Sequence, residues 1–113
     1  MTNKIESNGS SQEINDDIEE EKLIVDHEAV PILFHPKKQM LLKLLVENEM
    51  TIIDLKRATG MNPGTVKRHL NDLLEKGLVK QSRIEINRYS IAMRFYRATA
   101  KQFIISIKWP LEA

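Results

Sequence analysis

Two short predicted helices joined by three residues constrain the fold of this chain more than any other feature. Thr51 begins a Thr-x-x-Asp capping signature, and the helix that follows at 52–59 is ended by Gly60. Asn62 then caps a further predicted helix at 63–76. A three-residue turn that contains glycine and lies between two helices is the helix-turn-helix pattern.

Helical spacing before this pair and β-type alternation after it complete the expected elements. Apolar residues three and four apart predict an amphipathic helix at 36–48, and Asp26 is placed to cap a short helical turn at 27–34. Two strands around a turn at 87–90 predict a protruding hairpin, or wing, at 79–97. The expected fold class is therefore α+β, a winged helix-turn-helix with a three-helix core and a β-hairpin.

The last stretch of the chain allows two interpretations. Alternation at 102–109 favours a third strand, and a helix capped by Thr99 is the alternative. The aromatic residues near this end form a predicted apolar cluster that either covers the core or makes a dimer interface. They are Phe95, Tyr96, Phe103 and Trp109.

Charge is divided unevenly between the two ends of the chain. Residues 1–30 carry nine acidic and two basic residues, whereas residues 31–113 carry seven acidic and fifteen basic ones. We expect a disordered acidic tail at 1–22 and one domain at 23–113. The tail is interpreted as a solvated segment, or alternatively as a decoy for the basic body, and that body suggests a polyanionic partner.

Several classes of protein are excluded by what the sequence lacks. Without cysteine there is no disulfide framework, thiolate nucleophile or Cys-based zinc site. No apolar run of about 18 residues exists, and the polar start resembles no targeting segment, so a cytoplasmic protein is expected. No catalytic motif appears, so neither an enzyme nor a cofactor or metal site is expected. Of His27, His35 and His69, the last is predicted to pack beside the core.

The exposed face of the predicted helix at 63–76 has the composition of a DNA-reading surface. A helix fits the major groove, and residues near its N-terminus reach the base edges. Arg68 is suited to pair with guanine, and Asn71 with adenine. Thr65 and Lys67 suit phosphate or thymine-methyl contacts. The alternative is a basic helix face that is merely solvated.

Other candidate DNA contacts flank this face. The helix start presents amides and a positive dipole end to phosphate, with Asn62 as its cap and Gly64 allowing a close backbone approach. Lys56 and Arg57 lie on the helix that crosses the DNA backbone in this motif. A wing places basic side chains over the minor groove or the backbone. The basic residues of the predicted wing are Lys80, Arg83, Arg88 and Arg94, of which Arg83 and Arg88 are the candidate contacts.

The segments at 33–45 and 62–79 resemble the first-helix and recognition-helix regions of ArsR-type winged-helix repressors. The segment at 95–101 is similar to the end of the wing in archaeal relatives, and the resemblance covers about residues 24–105. It implies a homodimeric transcriptional regulator that binds double-stranded DNA. The cysteine of the thiolate metal sensors is absent from the helix at 52–59, so a metal switch is not expected. A His- and Asp-bearing C-terminal helix, which would also serve dimerisation, is not evident.

A second functional interpretation remains open. Winged helices also act as protein-interaction modules in transcription or processing complexes, because a fold does not determine a function. In that case the acidic tail would bind a basic partner. The basic face of the helix at 63–76 argues against this alternative.

Overall fold

The computed structural model describes residues 18–110. The helices are α1 Ala29–Leu33, α2 Pro36–Glu47, α3 Ile52–Thr59 and α4 Pro63–Glu75. The strands are β1 Glu19–Ile24, β2 Val79–Ile86, β3 Ala92–Ala98 and β4 Ala100–Ile105. This is the predicted α+β winged helix-turn-helix, in which the short helical turn before the core is a fourth helix, α1.

The helix boundaries follow from local capping. Thr51 and Asp54 exchange backbone and side-chain hydrogen bonds of 3.0 and 3.1 Å in a capping box, and Gly60 ends α3 with a left-handed φ of 79°. The side chain of Asn62 accepts a 2.9 Å bond from the Thr65 amide at the start of α4. At α1 the predicted cap is displaced, because Asp26 accepts from the Glu28 amide and Glu28 is the cap residue.

One apolar core joins α2, α3, α4 and the base of the wing. Its fully buried large side chains are Leu41, Leu45, Leu55, Val66, Leu70, Leu73 and Leu78. Within α2 and within α4 they recur at helical spacing, so each of these two helices turns one face inward. Burial of such side chains contributes about 1.5–3 kcal/mol each and is the main stabilising term for this fold.

The wing is an antiparallel pair of β2 and β3 with an irregular register between Gln81 and Arg83. Its tip is closed by a bond from the Asn87 amide to the Ile91 carbonyl, with Ser90 in the left-handed region at φ 60°. A bridge between Met50 and Tyr96 ties β3 to the connection between α2 and α3. The wing is therefore attached to the helical core on both sides of its base.

The predicted tail is wrong at residues 19–22, which belong to strand β1. This strand pairs in parallel with β4, with Glu19 opposite Ala100 and Ile24 opposite Ile105. Lys22 is held here because its ammonium donates to the Gly77 carbonyl at 2.8 Å. The rest of the predicted tail, residues 1–17, lies outside the described residues.

The C-terminal prediction is corrected in two respects. A strand forms, so the alternative helix is wrong, but β4 begins and ends earlier than predicted, at Ala100–Ile105, and it pairs with β1. Tyr96 and Phe103 pack against the core, whereas Trp109 is 85% exposed, so the four aromatic residues do not form one cluster.

In the part of the chain that the structure describes, none of the helices is long and apolar enough to cross a membrane.

Candidate nucleic-acid interface

Helix α4 separates a buried apolar face from an exposed basic one. Val66, Leu70 and Leu73 are buried against the core. Lys67 and Arg68 are exposed between these positions, and so is Asn71 one turn further on. The buried face fixes the rotation of α4 about its axis, so the three polar side chains are presented together to solvent, as the sequence predicted.

The start of α4 leaves backbone donors available. Pro63 has no amide hydrogen, and Asn62 occupies the amide of Thr65, so the amide of Gly64 is the uncapped one of the first turn. A Cβ on Gly64 would meet only the Asn62 side-chain oxygen, at an ordinary 3.5 Å. Space in the fold therefore does not require glycine at this position.

Helices α3 and α4 each carry two cationic side chains. Within residues 18–110, no ion pair with a carboxylate involves Lys56, Arg57, Lys67 or Arg68. All four are exposed. Unpaired cations on one surface create a positive potential that attracts a polyanion.

The two predicted wing contacts have different surroundings. Arg88 is exposed at the hairpin tip, with its guanidinium carbon 5.3 Å from the centre of the Tyr89 ring. Arg83 instead donates from Nε to Glu49 at 2.8 Å, pairs with Glu85 and lies 3.9 Å above the Phe95 ring. Its charge is therefore engaged in an intramolecular ion pair that connects the wing to the loop before α3.

The ion pair of Arg83 also affects the titration of its partner. Partial burial opposes ionisation of Glu49, but hydrogen bonds from Arg83 and Ser82 outweigh it and hold the pKa of Glu49 below its ordinary value. The pair is thus charged at neutral pH. Arg83 stays a predicted DNA contact, and the structure gives it a structural role that the sequence did not signal.

Behind α4 lies a polar cluster that the sequence did not predict. His69 is 5% exposed, its ring centre is 4.9 Å from that of His35, and its buried Nδ1 has no hydrogen-bond partner in the structure. Burial of the ring is the main cause that lowers the pKa of His69, and the positive charge of Lys38 is the next largest cause. Lys38 itself is buried and pairs with Asp72 at 3.2 Å. His69 is therefore packed beside the core, as predicted.

No metal-binding constellation emerges from these contacts. Across residues 18–110, no group of three or more His, Asp or Glu side chains is arranged to hold a metal ion. His35 serves as the cap of α2, because its Nδ1 accepts a 3.2 Å bond from the Lys37 amide. The contact between His35 and His69 is thus explained by the capping role of His35 and the packing of His69 beside the core.

Beside this surface lies a groove that sequence reasoning missed. It lies between the start of α3, the exposed face of α4 and the wing, with a volume of about 410 Å³. Lys67 and Arg94 line it together with apolar side chains from α3 and β3. Only the tertiary structure brings these elements together, so spacing along the chain carries no signal for the groove.

Comparison with known proteins identifies the segment that carries this surface. Residues 35–81 match the family described as "Bacterial regulatory protein, arsR family". This match contains α2, α3, α4 and the start of β2. No protein of curated function matches the chain.

Solved structures are similar to a larger part of the chain. The transcriptional repressor BigR from Xylella fastidiosa is 32% identical, with a TM-score of 0.53 over 64% of this chain and 65% of BigR. The homodimeric DNA-binding domain of Mb0332 from Mycobacterium bovis, a possible ArsR-family regulator, is 25% identical, with a TM-score of 0.52 over 65% of this chain and 62% of that one. Rv0081 of M. tuberculosis is 26% identical, with a TM-score of 0.55 over 65% of this chain and 68% of its own.

These three relatives have bacterial names or sources, so the archaeal character expected from the sequence stays a prediction. The chain spans slightly less than two thirds of the length of BigR and of the Mb0332 fragment.

Proposed function

We propose, because residues 35–81 match the arsR family of bacterial regulatory proteins, that the chain is a transcriptional regulator that binds double-stranded DNA sequence-specifically. The observation that carries the proposal is the exposed basic face of α4, whose cations have no carboxylate partner among residues 18–110. Interfaces with DNA are rich in positive charge, and a cation that has no ion pair in the free protein loses none when it binds DNA. We place the protein in the cytoplasm, with its DNA.

Helix α4 is the recognition helix of this proposal. It enters the major groove, where Arg68 reads guanine and Asn71 reads adenine. Lys67 and Thr65 contact phosphate or a thymine methyl group. The free amide of Gly64 at the helix start donates to a backbone phosphate, because that end of the helix carries a partial positive charge.

The flanking elements position the recognition helix. Lys56 and Arg57, in the last turn of α3, bind the DNA backbone next to the groove that α4 enters. Arg88 at the wing tip reaches the backbone or the minor groove. Arg83 contributes a contact only if it leaves its pair with Glu49, so we rank it below Arg88.

We further propose that the protein acts as a homodimer, so that two copies of α4 read half-sites about one helical turn apart. Mb0332 is described as homodimeric, which supports this arrangement. Large exposed apolar side chains also occur on β1, α2, β4 and the segments that flank α1 and follow β4. They are Leu23, Val25, Phe34, Met40, Ile104, Ile105 and Trp109. A second copy that covers them would remove apolar area from water.

The proposal is tested by selection from a randomised duplex pool, using the full chain at about 50 and 200 mM salt. A palindromic motif enriched at both concentrations is the expected result. Arg68→Ala should relax the preference at one base pair, whereas the matched control Lys43→Gln, an exposed cation of α2, should leave the motif unchanged. Binding without a motif that disappears at the higher salt would contradict the proposal and favour the protein-interaction module.

A further inference from the structure

The groove between the wing and the helix-turn-helix has properties that DNA binding does not use. Its apolar lining comes from the start of α3, from the residue before β3 and from β3 itself: Ile52, Ile53, Ile91, Met93 and Tyr96. Ile53 is 48% exposed and Ile91 is 57% exposed, so both leave apolar area in water. Interfaces with DNA are more polar and more positively charged than other interfaces, so this apolar floor is left without a partner in the proposed complex.

On the wall of the groove that β3 forms, the backbone groups of Arg94 and Ala92 make no bond outside the β2–β3 ladder within residues 18–110. The amide and carbonyl of Tyr96 bond to Met50 at 2.8 and 3.0 Å on the strand edge that faces away from β2. Because backbone groups alternate in direction along an antiparallel strand, those of Arg94 and Ala92 face the same way. The bridge to Met50 ends before them, so this part of the edge offers hydrogen-bond donors and acceptors to a ligand.

Two cationic side chains belong to the lining of the groove together with its apolar residues. Lys67 enters the lining from α4 and Arg94 from β3. Neither forms an ion pair with a carboxylate in the described part of the chain. The groove has a volume of about 410 Å³, mainly apolar walls and two cationic side chains in its lining, and these are usual properties of a small-molecule site. Charge complementarity specifies an anion with an apolar body.

We propose that this groove binds a small organic acid, with its carboxylate between Lys67 and Arg94 and its hydrocarbon part on Ile53 and Ile91. This inference rests on the proposed function in one respect. Lys67 also belongs to the DNA interface, so the bound acid and DNA compete for the same side chain. The acid thereby acts as an effector that releases the regulator from its operator.

The test uses decanoate as the probe, titrated into the full chain without DNA and followed by NMR of isoleucine methyl groups. We expect the signals of Ile53 and Ile91 to shift first. The neutral analogue decanol should bind at least about fivefold more weakly. Arg94→Gln should remove most of this preference for the acid.

Matched variants separate the groove from general surface hydrophobicity. Ile91→Thr should weaken decanoate binding by about fivefold or more. The control Ile86→Thr changes an equally large, 65% exposed residue of the same hairpin outside the lining, and should have no effect. Both positions are exposed, so both variants are expected to fold, which far-UV circular dichroism verifies. Equal binding by the two variants, or equal binding of decanoate and decanol, would overturn the proposal.

Competition with DNA is measured separately on the selected duplex. Saturating decanoate should raise the apparent Kd for DNA by about tenfold, and Ile91→Thr should reduce this increase while binding DNA normally. A ternary complex of protein, decanoate and DNA would refute the competition. If the chain binds no DNA motif, the proposed function fails, but the titration without DNA still decides whether the groove binds an acid.

Discussion

The ion pair between Lys38 and Asp72 should respond very differently to the loss of each partner. It joins α2 to the recognition helix α4 at 3.2 Å, with the Lys38 side chain 10% exposed and that of Asp72 44% exposed. Lys38 also lies beside the buried His69. The positive charge is therefore the buried partner, and the negative charge is the one in contact with water.

Asp72→Asn keeps the shape of the side chain but leaves the buried ammonium without its counter-charge. Breaking a buried pair in this way costs about 3–5 kcal/mol, whereas an exposed pair is worth about 0–1 kcal/mol. Because Asp72 is nearly half exposed, water screens the pair, and we expect a loss of about 1–2 kcal/mol. Lys38→Met removes the buried charge with a chain of similar length, so its loss should stay below about 1 kcal/mol.

Urea unfolding at neutral pH, followed by far-UV circular dichroism, measures both losses. For a domain of this size, each 1 kcal/mol corresponds to a decrease in Tm of about 4–8 °C. Glu75→Gln, at an exposed acidic position of the same helix, is the matched control and should stay within about 0.5 kcal/mol. Equal losses from Asp72→Asn and Lys38→Met, or a larger loss from the lysine variant, would refute the argument from unequal burial.

Three further predictions concern the recognition helix. The free energy of unfolding should fall as the pH is lowered through about 6.5, because His69 takes up a proton in the unfolded chain but resists protonation in the folded protein, where its pKa is lowered. Denaturant titrations of His69→Gln should show a weaker dependence of this free energy on pH. An unchanged dependence would count against His69 as the titrating group. Gly64→Ala should leave Tm the same or higher, yet weaken DNA binding at least about threefold; equal affinity would show that no phosphate approaches this amide. Arg68→Ala should cost about 1–3 kcal/mol of specific binding free energy. Lys67→Ala should weaken binding to all sequences and reduce the dependence of log K on log salt concentration by about one. The reverse pattern in salt-dependent titrations would exchange the roles of the two residues.

The helices of this protein were predictable because their signals are local. The Thr51–Asp54 capping box, the left-handed Gly60 and the Asn62 cap each act within three residues of the helix end that they define. The apolar spacing within α4 likewise determined which of its faces is buried, and hence that Lys67 and Arg68 are exposed. The candidate contacts on this helix could therefore be chosen without the structure.

The wing was predicted as an element, but the surroundings of its side chains were not. Alternation placed Arg83 on a strand of the wing, where it was chosen as a candidate DNA contact, whereas the structure pairs it with Glu49, more than thirty residues earlier. Arg88 kept the exposed position predicted for it, because a hairpin tip has few neighbours. A cation's availability depends on which carboxylates the fold brings near it.

By itself, the sequence determined the helix-turn-helix, its caps and the exposed basic face of α4, because neighbouring residues specify these features. Only the tertiary structure decided that residues 19–22 form a strand, since their partner strand begins about eighty residues later at Ala100 and the acidic composition masks the pairing. The groove that Lys67 and Arg94 line likewise depends on the tertiary structure, because its lining comes from α3, α4 and the wing. Periodicity within a segment shows which of its faces is buried but does not name the distant segment that it contacts, so these partners are known only from the structure.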